Sequence, residues 1–232
     1  MRKLRTSVDP VDQPISALHG RLADEPERDC PLCPRLVAFR AANRAAHADW
    51  YNGAVPGFGP RSAPVLIVGL APGLGGANRT GRPFTGDYAG VLLYETLLAA
   101  GFAVGSYAAR IDDGLRLTRC RIVNAVRCVP PGNKPLPKEI ATCNRFLAVE
   151  FAAMPALKAV LALGRIAHEA VLRARGVPPR KAPFQHGAEH RLGNNLILFD
   201  SYHVSRYNTS TGRLTAAMFS EVVARLAAVL EA

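Results

Sequence analysis

The sequence has no uninterrupted apolar run of the roughly 18 residues a membrane-spanning helix needs, no internal repeat and no low-complexity segment. Negative charge is scarce: 18 Asp and Glu stand against 29 Lys and Arg, a formal charge of +11 that suits a polyanionic partner such as nucleic acid. The opening MRKLRTSVDPVDQPIS lacks the apolar stretch of a secretory signal, so a cytoplasmic, soluble protein is expected. Cysteines number five, and in a reducing compartment they are not expected to pair as disulfides. Metal binding or plain burial remains for them.

Hydrophobic residue types make up 49% of the 232 residues, enough for one sizeable core. Residues 1–29 mix Pro, Asp, Arg and Glu without periodicity and are expected to form an arm that is mobile and partly docked; residues 30–232 are expected to form a single domain. Four short apolar runs, VLIVGL (65–70), RIVNAV (121–126), AVLALG (159–164) and LILFD (196–200), have the pattern of strands buried on both faces. Helical patterns occupy 35–50, 89–102, 137–154 and 164–176. Strands alternating with helices predict an α/β protein, a three-layer α/β/α sandwich around a central, mostly parallel four-stranded sheet. Functional loops then lie at the carboxyl ends of its strands.

Cys30-Pro-Leu-Cys33 spaces two thiols for one metal centre, and Cys128 and Cys143 follow at a separation that lets four converge. One tight pair with two dispersed ligands tilts toward a four-iron cluster over a zinc ribbon, with zinc and simple burial of Cys128 and Cys143 both open. Cys120 reads as a core thiol.

After the first strand, Gly69-Leu70-Ala71-Pro72-Gly73 departs from the GxGxxG dinucleotide spacing. The loop from Ala77 to Asp87 adds Arg79, Arg82, Phe84 and Asp87, a plausible nucleotide pocket. Phe84 can stack on an extruded base or be core. Asp87 can orient a water or simply cap the helix that follows. His203-Val-Ser-Arg-Tyr-Asn-Thr leaves the last strand as a polar loop that continues to Arg213. No lysine lies between Gly69 and Asp87, which counts against a phosphate-gripping nucleotide hydrolase.

Taken in order, CPLC (30–33), GLAPG (69–73), NRTGRPFTGD (78–87), NAVRCVPPGNKPLPKEIATC (124–143) and HVSRYNT (203–209) resemble the family 5 uracil-DNA glycosylases, the UDGb type, over about residues 30–215. The resemblance implies a [4Fe–4S] cluster on Cys30, Cys33, Cys128 and Cys143. It implies Asp87 and His203 as catalytic residues and a base-binding set of Gly69, Leu70, Ala71, Phe84 and Asn124. Arg79, Ser205, Arg206, Tyr207, Asn208 and Arg213 are expected to contact DNA. Related iron–sulfur glycosylases carry a water-activating Glu in Gly-Glu-Ala-Pro-Gly. Leu70 stands at that position here, a departure characteristic of the UDGb type.

The activity so implied is hydrolysis of the N-glycosidic bond of uracil, and of other deaminated bases such as hypoxanthine and xanthine, in DNA, by a protein expected to act as a monomer. The rival from another class is a non-catalytic, metal-containing protein that binds damaged DNA. It accounts for the charge and the cysteines but has no use for a paired Asp87 and His203.

Overall fold

The computed structural model describes residues 25–193 and 195–231. Its elements run α1 (Pro34–Ala46), β1 (Val65–Gly69), α2 (Ala77–Thr80), α3 (Tyr88–Ala99), β2 (Ala103–Val104), β3 (Arg116–Leu117), β4 (Cys120–Asn124), α4 (Pro137–Ala153), β5 (Ala159–Leu163), α5 (Arg165–Ala174), β6 (Glu189–Arg191), β7 (Ile197–Ser201), α6 (Arg206–Ser210) and α7 (Ala216–Glu231). The main sheet has the order β4-β1-β5-β7-β6. The four apolar runs give its parallel strands, buried at every position, within a residue or two of the expected bounds.

Successive side chains of a strand point to opposite faces, and the core divides accordingly. Val65, Ile67, Ile122, Leu161 and Phe199 pack toward Leu93 and Leu97 of α3 and Phe219, Val223 and Leu226 of α7. Leu66, Val68, Val160, Ala162 and Leu198 pack toward Leu147 of α4 and Ala170 and Val171 of α5. The result is the expected three-layer sandwich, with the expected four strands extended by a fifth, β6, antiparallel to β7. β6 is three residues, Glu-His-Arg, at the sheet edge, and offers no apolar run to detect. A two-residue hairpin, β2 with β3, forms a separate small sheet.

Three other elements differ from the sequence reading. The first helix stops at Ala46 short of Trp50, because His47 leaves helical geometry and its ring stacks on Trp50 at 3.8 Å. The polar loop expected after His203 winds into α6, capped by Ser205. The C-terminal α7, unassigned from sequence, closes one face of the core. The expected arm, residues 1–29, lies outside the described residues up to 24. Residues 25–29 are docked: Glu25 accepts from the Gly57 amide at 2.9 Å and pairs with Arg121, and Asp29 pairs with Arg44. Among the described residues no helix is long and apolar enough to cross a membrane.

Candidate active site

Beyond the carboxyl ends of β1, β4 and β7 lies a cleft of about 440 Å³. Parallel register brings Gly69 level with Asn124 at the ends of β1 and β4, so the segments leaving both strands share this opening. Leu70, Ala71, Phe84, Asp87, Asn124, His203, Ser205 and Arg206 all line it. Residues spread over 137 positions of sequence thus meet in one concavity, because β1 lies beside β4, β7 follows one strand away across β5, and all of these parallel strands open toward the same edge.

Asp87 sits at the N-cap of α3 with extended backbone, yet its side chain makes no cap hydrogen bond. Its carboxylate packs against the glycine loop: a β-carbon on Gly73 would lie 2.8 Å from Oδ2, and one on Gly76 would overlap it. Oδ1 is buried without a hydrogen-bond partner among the described residues. Burial holds the Asp87 carboxyl above its ordinary range, an effect the amides of Gly90 and Ala89 partly offset. Helix capping alone does not account for this residue, since it leaves Oδ1 buried without a partner among the described residues.

His203 follows β7 on the opposite wall. It is partly exposed to the cleft but otherwise enclosed by protein, and desolvation pushes its imidazole down to about 4, so it is neutral at pH 7. Its carbonyl accepts from Asn208 Nδ2 at 2.7 Å, which ties α6 to the loop. Asn124 is buried, with Oδ1 unpartnered among the described residues. Phe84 is 7% exposed, its ring wedged beside Gly69, where a β-carbon would come within 2.5 Å of Cζ and would overlap Asn124 Oδ1. Gly69 is therefore the spacer beneath the floor and does not itself line the cleft.

The basic residues fall into two groups. Arg206, at the mouth, lies 5.5 Å over the ring of exposed Tyr88, and Tyr207 beside it is 73% exposed. Arg213 stacks 4.6 Å over Tyr202, next in sequence to His203, but is not a lining residue. Arg79 lies off the cleft. Its Nε donates to Gly75 O at 2.9 Å, and its side chain faces a separate groove with Trp50 and Arg110. Arg82 is buried in a bidentate pair with Asp113, at 2.9 and 2.7 Å, and braces the loop from within.

Cys30, Cys33, Cys128 and Cys143 converge on one small cavity between α1, α4 and the segment after β4, alongside Leu36, Val126 and Phe146. The Arg127 amide donates to Cys143 Sγ at 3.3 Å and Arg40 Nη1 lies 3.6 Å from Cys128 Sγ. Burial, reinforced by the neighbouring thiols, pushes Cys128 up to about 12 and Cys143 up to about 11. Four soft sulfur donors lining one cavity, with two N–H donors aimed at them, fit a thiolate-bound metal or iron–sulfur centre. Cys120 is apart, buried under Phe102 as a core thiol.

Sequence reasoning missed Asn133 and Tyr88, which also line the cleft. Asn133 reaches it from a 3₁₀ turn, Pro131–Asn133, at φ +57, a value asparagine tolerates better than most; the Gly-Asn pair after two prolines was the available signal. It also left His168, His186 and His190 unassigned. They gather away from the cleft, His168 Nδ1 and His190 Nε2 lying 2.7 and 3.1 Å from the Asp200 carboxylate, and His186 stacking on Tyr202.

The chain matches the Uracil DNA glycosylase superfamily over residues 56–227. It is 48% identical over 199 residues to a protein of Thermus thermophilus named type-5 uracil-DNA glycosylase, covering 84% of this chain and 90% of that one. A protein of the same name from Mycobacterium bovis is 42% identical over 83% of this chain and 75% of its own. One from Pyrobaculum aerophilum is 38% identical over 86% and 88%. With a superfamily match over most of the chain and relatives this similar along three quarters or more of their length, the protein belongs to the uracil DNA glycosylase superfamily and, within it, to the type-5 uracil-DNA glycosylases.

Proposed function

We propose that the protein binds DNA as a monomer and hydrolyses the bond between uracil and its deoxyribose, and that it does the same to hypoxanthine and xanthine. The observation that carries this reading is the buried, unpartnered Oδ1 of Asp87 in a cleft shared with a neutral His203. A buried carboxylate oxygen without a partner costs stability, and a module that only binds damaged DNA has no use for it.

The target nucleotide leaves the duplex at a cost of a few kcal/mol, least where the base is mispaired. Its base then stacks on Phe84 and its edge meets Asn124. As the C1′–N bond lengthens, its electron pair goes to the base and positive charge develops on the sugar. Asp87 offsets that charge and orients a water whose oxygen bonds to C1′; the proton this water sheds passes to solvent. His203, neutral, donates a hydrogen bond to the base oxygen on which negative charge gathers. A fixed donor and a fixed anion aimed at developing charges supply most of the acceleration in such a site. Leu70, where a carboxylate would commit the pocket to one geometry, leaves an apolar wall compatible with larger leaving bases.

Cys30, Cys33, Cys128 and Cys143 would hold a [4Fe–4S] cluster. When bound, it supplies a covalent tie between the segment before α1, the segment after β4 and α4, and the protein's own residues carry the hydrolysis. Ser205, Arg206, Tyr207 and Asn208, with Arg213 behind them, form the polar and cationic rim that would grip the strand around the extruded nucleotide, and Arg79 would act at a distance from it.

The test uses anaerobically purified protein and separate duplexes containing uracil, hypoxanthine or xanthine, with abasic sites scored by alkaline cleavage. Release by the wild type that is lost in both Asp87→Ala and His203→Ala is expected. Tight binding without release by the fully metallated wild type would replace the enzyme with the damage-binding module.

A further inference from the structure

Phe84 holds a backbone conformation that a bulky side chain rarely adopts, φ +51, in the left-handed region. Such bends persist only where their surroundings over-determine them, and they concentrate at functional sites. Here the surroundings are two phenols. Tyr94, on α3, donates to Pro83 O at 2.5 Å, and Tyr107, beyond β2, donates to Phe84 O at 3.1 Å. The two carbonyls are consecutive, so the hydroxyls fix both peptide planes around the bend. The two rings contact each other at 4.7 Å, and the Arg82 guanidinium lies over both, itself fixed by Asp113 and by Thr85 Oγ1 at 2.7 Å.

Two glycines make room for this arrangement. A β-carbon at Gly90 would overlap both Phe84 O and Tyr107 Oη, so the first turn of α3 could not approach the bend with any other residue there. Gly69, on the other side, leaves space for the ring. Burial raises both phenols above their ordinary range, so both remain donors through the neutral range. Neither tyrosine lines the cleft.

We propose that Tyr94 and Tyr107 are positioning residues: a clamp of two hydroxyls on the Pro83 and Phe84 carbonyls that sets the angle at which Phe84 presents its ring to the base. The inference rests on the reading of Phe84 as the base platform given above. It makes the rate of base release depend on hydroxyl groups that never touch DNA.

The test is a double-mutant cycle between Tyr107→Phe, which keeps the ring and removes the hydroxyl, and Phe84→Leu. Single-turnover release of uracil is measured beside affinity for a duplex carrying tetrahydrofuran, an abasic analogue with no base to stack. Tyr107→Phe is expected to slow release about fivefold to tenfold and to leave tetrahydrofuran-duplex affinity within about twofold, while slowing the Phe84→Leu variant no further, as residues acting through one another do. Tyr94→Phe is expected to repeat the pattern.

Equal slowing of wild type and Phe84→Leu, or matching losses of rate and tetrahydrofuran-duplex affinity, would reduce the tyrosines to general packing and overturn the clamp. If Phe84→Leu is slow and both tyrosine variants match wild type, the clamp alone is wrong. If Phe84→Leu releases uracil as fast as wild type, the platform reading is wrong and the clamp falls with it.

Discussion

Phe84 and His203 face each other at the cleft, their ring centroids 6.1 Å apart and their planes inclined by 32°. Aromatic pairs in contact have centroids about 4.5–7 Å apart, so these two already touch and no base fits between them. On the proposed reading, a base stacking on Phe84 would therefore meet His203 at its edge, where an imidazole would hydrogen-bond and not stack.

That enclosure has a consequence for pH. Desolvation holds His203 at about 4, below its ordinary value of 6.5, so on acidification the unfolded chain takes up a proton that the folded chain refuses. The stability His203 contributes is complete above pH 6.5 and is lost progressively as pH falls toward 4. Urea unfolding at pH 7.5 and pH 5 should show that loss in wild type and a smaller one in His203→Gln. The His203 imidazole, followed by NMR, should show no titration near pH 6.5; one there would mean that it titrates as if solvated.

The four converging thiols predict a sharp contrast between cysteines. Cys143→Ala, made and purified without oxygen, should lose iron and acid-labile sulfide and unfold at a lower temperature. Cys120→Ala, altering a thiol under Phe102, should keep both elements at the wild-type ratio. Elemental analysis with sulfide determination checks this, and zinc without sulfide in wild type would refute the iron–sulfur assignment.

How legible these features were follows from their physics. β1, β4, β5 and β7 could be read because strands buried on both faces are continuous apolar runs, whereas the polar edge strand β6 exists only by pairing with β7. Asp87 and His203 were visible because each follows a core element within a distinctive loop. Arg82 was misleading. In sequence it joins Arg79 as a cation for a nucleotide pocket, but in the fold Asp113, 31 residues later, neutralises it, and no local spacing announces such a partner. Tyr94 and Tyr107 were unreadable for the same reason, since they act on carbonyl groups that carry no side-chain signature.

The Arg82–Asp113 pair sets the stability of the loop that carries Phe84. Both side chains are buried, and the guanidinium holds the Asp113 carboxyl well below its ordinary range. Removing one partner of a buried pair leaves an uncompensated charge, at a cost of roughly 3–5 kcal/mol. Asp113→Ala should lose about that much in chemical denaturation. The double replacement Arg82→Met with Asp113→Leu should lose less, because no lone charge remains. A loss from Asp113→Ala of under about 1 kcal/mol, the scale of a surface pair, would mean that solvent reaches Arg82.

Asp87 should behave in the opposite way to Asp113, because no cation pairs with its carboxylate among the described residues. Burial raises its carboxyl, so ionising it at neutral pH opposes folding, and acidification through the raised value relieves the folded state. Asp87→Asn keeps the shape and removes the charge. Its thermal midpoint should therefore equal or exceed that of wild type, while single-turnover uracil release falls by about a hundredfold or more, the scale of losing a preorganised catalytic charge. Wild-type release should also decline on acidification through the raised value, as the carboxylate takes up its proton. Stability gained where activity is lost is the mark of a group retained for chemistry at a cost to the fold. An Asp87→Asn protein that unfolds several degrees lower than wild type would mean that the carboxylate stabilises α3 as its cap, and its loss of activity would then report a displaced helix.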